Sequence, residues 1–128
     1  MHSLFAYDPS YDPAAPVIEI GVGPSDGTPP RLKIMALLDT GADATMIPQN
    51  ILNAAGARYV QRRGMRGVTG VREMVNLYLV TIHIGEYTIH GIRAVASSLN
   101  AEVIVGRDVL NNLTITLHGL AQEAEVST

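Results

Sequence analysis

Four apolar residues, Met35 to Leu38, run without a break into Asp39. A carboxylate is poor sequence for the interior of a strand, because a buried charge without a partner is strongly disfavoured. A strand built on this run therefore ends at Asp39 and delivers the carboxylate to a site. Thr40 can fix the backbone there through a side-chain hydrogen bond. Gly41 lets the chain turn sharply with nothing crowding the carboxylate. Taken alone, Asp39-Thr40-Gly41 also reads as a plain β-turn, since all three residue types favour turns.

The rest of the chain is punctuated in the same way. Val17 to Val22 alternates and is β-branched, and Leu32 to Leu38 reads as its hairpin partner across the turn cluster Gly23 to Pro30. Met74 to Ile84 and Tyr87 to Ala96 read as strands joined by a tight turn at Gly85-Glu86. Val103 to Val105 is a short apolar strand, and Leu113 to Leu117 is a last alternating one. Pro48 to Ala55 reads as a short helix stopped by Gly56, and Arg107 to Asn112 as one or two helical turns. Met1 to Pro16, with three prolines, reads as an irregular extended arm that Phe5, Tyr7 and Tyr11 can dock. Gln122 to Thr128 reads as a polar, frayed end. Many short strands with frequent turns and two brief helices predict an all-β barrel or sandwich. The expected organisation is an arm over 1–16, one domain over 17–120 and a polar tail over 121–128.

Composition closes off several functions. A chain of 128 residues that is 47% hydrophobic and 16% charged supports one globular domain. Nine basic residues against twelve acidic give a net charge of −3, which argues against general nucleic-acid binding. The longest apolar run, Ile34 to Leu38, is far short of the ~20 residues that span a bilayer, so no membrane partner is expected. Met1 to Ser10 has neither a basic start nor an apolar run, so the sequence leans towards a cytoplasmic protein. With no cysteine, disulfides, thiol catalysis and cysteine zinc sites are excluded. His83 and His90 sit in strands without other ligands at metal spacing, so neither metal nor cofactor is expected. The sole lysine, Lys33, does not follow a glycine-rich loop, which argues against phosphoryl chemistry.

Two further segments give Asp39 its context. Val103-Ile104-Val105-Gly106-Arg107-Asp108 is an apolar strand ending in glycine before a short helix, and Arg66-Gly67-Val68-Thr69-Gly70-Val71 is a glycine-rich turn before a long strand. With Ala36-Leu37-Leu38-Asp39-Thr40-Gly41-Ala42-Asp43, they resemble, in order, the helix-start segment, the flap tip and the catalytic loop of the retropepsin-like aspartic proteases. The resemblance covers about 17–118. It implies a closed β-barrel with one or two short helices, acting as a homodimeric aspartic endopeptidase without cofactor or metal.

The resemblance also assigns roles. Asp39, Thr40 and Gly41 would be catalytic. Ala42, Asp43, Gly67, Val68, Thr69, Gly70 and Ile104 would contact an extended peptide, with Gly67 and Gly70 letting the flap move. Asp43 would pair with Arg107, which can grip a carboxylate bidentately. Peptide hydrolysis by carboxylates needs two of them sharing one proton. The chain has one such Asp, and Asp26-Gly27 lies in a turn cluster without apolar flanks, so a two-lobed single-chain enzyme is excluded. The second Asp would come from an identical chain, with Leu113 to His118 joining the interface sheet. The competing reading is a non-catalytic dimerisation or peptide-binding module on the same fold. Arg58, Arg62, Arg63, Arg66 and Arg72 form a basic run that reads as a solvated flap base, or else as an attractor for an acidic peptide or a polyanion.

Overall fold

A computed structural model describes residues 1–30, 32–67 and 69–128 of the protein. It contains ten strands: β1 (His2–Ala6), β2 (Val17–Gly23), β3 (Leu32–Leu38), β4 (Met46–Pro48), β5 (Arg58–Arg66), β6 (Arg72–Ile84), β7 (Tyr87–Ser97), β8 (Ile104–Val105), β9 (Thr114–His118) and β10 (Glu123–Ser127). Two short helices complete it, α1 (Gln49–Ala54) and α2 (Arg107–Leu110). Pro48 stands at the N-cap of α1, and Gly56 takes φ +74° just past its end, the left-handed stop that glycine allows.

Seven strands run in the order β2-β3-β8-β4-β7-β6-β5, and β2 also pairs with β6, so the sheet closes into a barrel. The expected all-β barrel is the observed one. The β2–β3 pairing runs from Val17↔Leu37 to Val22↔Leu32 across the predicted turn cluster. Two edges of the barrel are parallel, β3 with β8 and β4 with β7. β6 is long enough for two partners on one side: β5 along Arg72 to Leu79, and β2 along Thr81 to His83. The β5–β6 hairpin therefore projects beyond the barrel. Ile18, Ile20, Val22, Ala36, Ile47, Val80, Ile82, Ile84 and Val105 fill the interior with essentially no exposure, and Leu52 and Val109 bring both helices against it.

The chain ends differ from the sequence reading. The arm contributes β1, and the expected frayed tail contributes β10; with β9 they form an antiparallel sheet in the order β1-β10-β9. Ala124 and Val126 are fully buried in the same core as the barrel. The alternation was present in Glu123-Ala124-Glu125-Val126-Ser127, but two small apolar positions among polar ones are too weak a pattern to outweigh a terminal location. Phe5 and Tyr7 do dock the arm on the core. Two further strands have no counterpart in the sequence reading. β4 is only three residues long, and β5 is largely exposed and arginine-rich, held by its ladder with β6 rather than by burial. No helix is long and apolar enough to cross a membrane among the described residues.

Candidate active site

Asp39 stands one residue beyond β3. Its N–H donates to the Val105 carbonyl at 3.0 Å, adding a rung to the parallel β3–β8 ladder, in which Leu37 faces Ile104 and Leu38 faces Val105. Two segments some 65 residues apart are thereby fixed side by side. The Gly41 N–H then donates to Asp39 Oδ1 at 2.9 Å, and the Ala42 N–H to the Asp39 carbonyl at 3.2 Å. Asp39-Thr40-Gly41 forms the turn that its residue types favour, and that turn holds the Asp39 carboxylate. A Cβ at Gly41 would lie 3.2 Å from Asp39 Oδ1, so a larger residue would crowd the group that the turn presents.

Residues 39–45 connect β3 to β4, but β8 lies between those two strands. The loop must therefore cross the end of β8, and Gly106 is where it crosses. A Cβ on Gly106 would meet the Ala44 carbonyl carbon at 2.7 Å and the Ala42 carbonyl oxygen at 2.9 Å, both rigid backbone. The Arg107 N–H donates to that Ala42 oxygen at 2.9 Å.

Thr45 completes the anchorage. It is fully buried. Its hydroxyl donates to Asp108 Oδ1 at 2.8 Å and accepts the Gly106 N–H at 3.2 Å, while its own N–H donates to Asp108 Oδ2 at 3.0 Å. Asp108 Oδ1 also accepts the Val109 N–H at 2.9 Å. Sequence reasoning passed over Thr45. The available signal was a threonine between Ala44 and Met46, on the way into a strand with no room for an unpartnered hydroxyl.

Asp43 and Arg107 meet as expected, though not bidentately. Arg107 Nη2 donates to Asp43 Oδ1, and Nη1 donates to the Thr40 carbonyl at 2.7 Å. The guanidinium thus bridges a carboxylate and a main-chain oxygen across the Asp39 turn. The side chains are 43% exposed for Arg107 and 80% for Asp43, so within one chain this is a surface pair. Thr40 helps fix the loop through its carbonyl; its hydroxyl has no hydrogen-bond partner among the described residues.

Gly67, Thr69 and Gly70 lie in the exposed turn of the β5–β6 hairpin. The Gly67 N–H donates to the Val71 carbonyl and the Gly70 N–H to the Gly67 carbonyl, both at 3.0 Å, and Gly70 has φ +80°. Val68 lies outside the described residues. Between hairpin and loop runs a groove of about 340 Å³, walled by Asp43 and Ala44 on one side and by Arg63 to Arg66 on the other. Its floor is Val75, Leu77 and Val95, with Arg93 beside them. Of the residues expected to touch substrate, Asp43 lines this groove. Ile104 is half-buried in β8 and, like Gly67, Thr69 and Gly70, is not among the residues of its wall. Among the described residues no three potential metal ligands converge.

The geometry is a single carboxylate held by a turn at a strand end, buttressed by a glycine-led helix, beside a groove under a hairpin. Comparison with known proteins places it. The family described as "gag-polyprotein putative aspartyl protease" matches residues 31–112, about two thirds of the chain. EIAV protease, solved with the inhibitor HBY-793, is 27% identical, superposes with a TM-score of 0.58, and is matched over 77% of this chain and 86% of its own. A retropepsin-like aspartic protease from Rickettsia conorii is 12% identical and shares the fold with a TM-score of 0.67 over 98% of this chain and 90% of its own. No curated protein matches by sequence. The chain belongs to the gag-polyprotein aspartyl protease family and is a retropepsin-like aspartic endopeptidase.

Proposed function

We propose that the catalytic unit is a homodimer in which one Asp39 from each chain forms a shared-proton pair that cleaves extended peptides. The observation that carries this is the single Asp39, presented by its own turn with no second Asp-Thr-Gly in the chain. As in aspartic proteases generally, two carboxylates about 3 Å apart cannot both ionise. The ionised one takes a proton from water as the water oxygen bonds to the scissile carbonyl carbon. The protonated one donates to the carbonyl oxygen. Collapse then breaks the C–N bond, with a proton passing to the leaving nitrogen. Asp39, Thr40 and Gly41 form the catalytic turn. Ala42, Asp43 and Ile104 stand near one end of the bound peptide, and Gly67, Val68, Thr69 and Gly70 close over it. The protease domain proper is 17–120, with 1–16 and 121–128 closing its base.

The surface beside the site suits a second copy. Leu38, Leu110, Leu113, Ile115 and Leu117 line an apolar hollow of about 320 Å³ that also touches Thr40. Leu117 is 55% exposed, and the far edge of β9 has no partner among the described residues. Pairing this face with its twin would cover the apolar surface, satisfy the free edge and bring the two Asp39 turns together.

The test is cleavage of a mixed peptide library by the wild type and by Asp39→Asn, with sedimentation of both. The expected result is cleavage that is lost in Asp39→Asn while fold and dimer remain. Specific activity should also fall on dilution over the range in which the dimer dissociates. Full activity in Asp39→Asn would sink the peptidase mechanism, and constant specific activity in a monomeric sample would sink the shared pair. A wild type that binds peptides without cutting any would favour the peptide-binding module.

A further inference from the structure

The groove beside the catalytic turn has an unusual wall. The β5–β6–β7 register pairs Arg63 with Val75, Leu77 with Val95, and Leu79 with Arg93. Directly paired residues share a face, and alternate positions along each strand do too. Arg63 and Arg93 therefore flank the apolar floor of Val75, Leu77 and Val95 from the same side of the sheet, while Arg66, an odd number of positions from Arg63, borders the groove from the other face of its strand. Among the described residues only one carboxylate, Asp43, lines this groove, and it is engaged with Arg107. Glu73, cross-strand from Met65, is outside the lining and makes no ion pair among the described residues. Nor do Arg63, Arg66 and Arg93 meet any carboxylate there. The whole chain carries −3, so the positive wall is a local concentration against an acidic background.

We propose that the groove selects substrates with an acidic side chain, whose stem lies on Val75, Leu77 and Val95 while its carboxylate meets Arg63 and Arg93. This rests on the endopeptidase reading. An apolar floor with guanidinium groups at its margin fits a glutamate or aspartate: the methylenes bury and the carboxylate takes a planar donor. A lysine there would face two like charges. In a two-fold dimer the groove occurs twice, so acidic residues are selected on both sides of the scissile bond.

The test uses one parent peptide recovered from the library, remade with Glu, Gln or Lys at each position flanking the cut. We expect kcat/KM to be about tenfold higher for Glu than for Gln at low salt at one position on each side, and lowest for Lys. The Glu advantage should shrink as salt is raised to 0.5 M. In Arg63→Gln/Arg93→Gln the Glu:Gln ratio should fall towards one, and in Arg63→Glu/Arg93→Glu the Lys peptide should overtake Glu. Equal or better cleavage of Gln by the wild type would overturn the proposal without touching the peptidase assignment, as would a Glu preference that survives in both double variants. The wild-type ratio and its salt dependence need no variant to fold. If the wild type cuts no peptide, fluorescence anisotropy of labelled Glu, Gln and Lys peptides from the library decides separately. Tighter binding of Glu would uphold acidic selection while the peptidase reading falls, and indifferent binding would overturn both.

Discussion

Replacing Thr45 by Val isolates the buttress of the Asp39 turn. The side chain is fully buried, and valine matches its shape while deleting the hydroxyl. Two bonds vanish, the 2.8 Å one to Asp108 Oδ1 and the 3.2 Å one from the Gly106 N–H. The first is charge-assisted, worth about 1.5–3 kcal/mol, and the second leaves a buried amide without its partner, at about 1–3 kcal/mol. Asp108 keeps the Thr45 and Val109 amides, so the carboxylate is not orphaned and the losses do not simply add. A net cost of about 3 kcal/mol is expected. For a chain of this length that lowers the melting temperature by about 10 °C. Thr45→Ser retains the hydroxyl and loses a methyl group, a change of about 1 kcal/mol. Calorimetry at one fixed protein concentration should therefore rank wild type above Thr45→Ser and Thr45→Ser above Thr45→Val. Peptidase activity should drop in Thr45→Val even well below its melting temperature, because the loop that carries Asp39 loses its tie to α2. If Thr45→Val melted within 2 °C of wild type, or above Thr45→Ser, the buttress would not carry the loop.

Four other outcomes follow from the geometry. Gly106→Ala forces a methyl group into backbone at 2.7–2.9 Å, so it should cost about 1–3 kcal/mol by denaturant midpoint and lower kcat/KM; a silent substitution would mean that the loop does not cross there. Arg107→Ala removes an exposed ion pair worth under about 1 kcal/mol and the bond to the Thr40 carbonyl, so activity should fall more steeply than melting temperature; unchanged turnover would show that the bridge is idle. Val126→Asp places a charge in the core and should unfold the protein by circular dichroism, whereas Leu120→Asp at a fully exposed site should not. Burial, with a smaller contribution from His90, holds His83 below its ordinary value of 6.5. The unfolded chain then binds the proton first, so this part of the stability is complete above pH 6.5 and declines as pH falls towards the depressed folded value. The stability difference between wild type and His83→Gln should shrink over that window, and a difference constant from pH 7.5 to 5 would exclude the effect.

The turn at Asp39 was legible in sequence because a charge abutting four apolar residues marks a strand end, whereas its role rested on resemblance. The β2–β3 and β6–β7 hairpins were legible because β-branched alternation and turn residues agreed. β5 was not, since Arg58 to Arg66 owes its conformation to pairing with β6 rather than to a buried face of its own. β10 was missed for the opposite reason: its buried face exists, but Ala124 and Val126 are small and stand between glutamates. The Asp43–Arg107 contact was implied by resemblance alone, and its bridging form, with one arm on the Thr40 carbonyl, depends on a backbone orientation that no residue pattern encodes. Thr45 illustrates the same limit, because a hydroxyl that joins positions 106 and 108 to position 45 is a tertiary fact.

The terminal sheet sets the order in which this molecule is finished. β1 pairs with β10 from His2↔Ser127 to Ala6↔Glu123, so the contacts that seal the base join residues 117 to 125 positions apart. Closing so long a loop costs about 4 kcal/mol of chain entropy before any packing offsets it. The hairpins β2–β3, β5–β6 and β6–β7 close short loops and pair early. During synthesis β1 leaves the ribosome well before β10 and must wait for it. Until Glu123 to Ser127 arrive, Phe5 and the space meant for Ala124 and Val126 stay open to solvent. Hydrogen exchange pulsed during refolding should label the β1 and β10 amides after those of the barrel are protected.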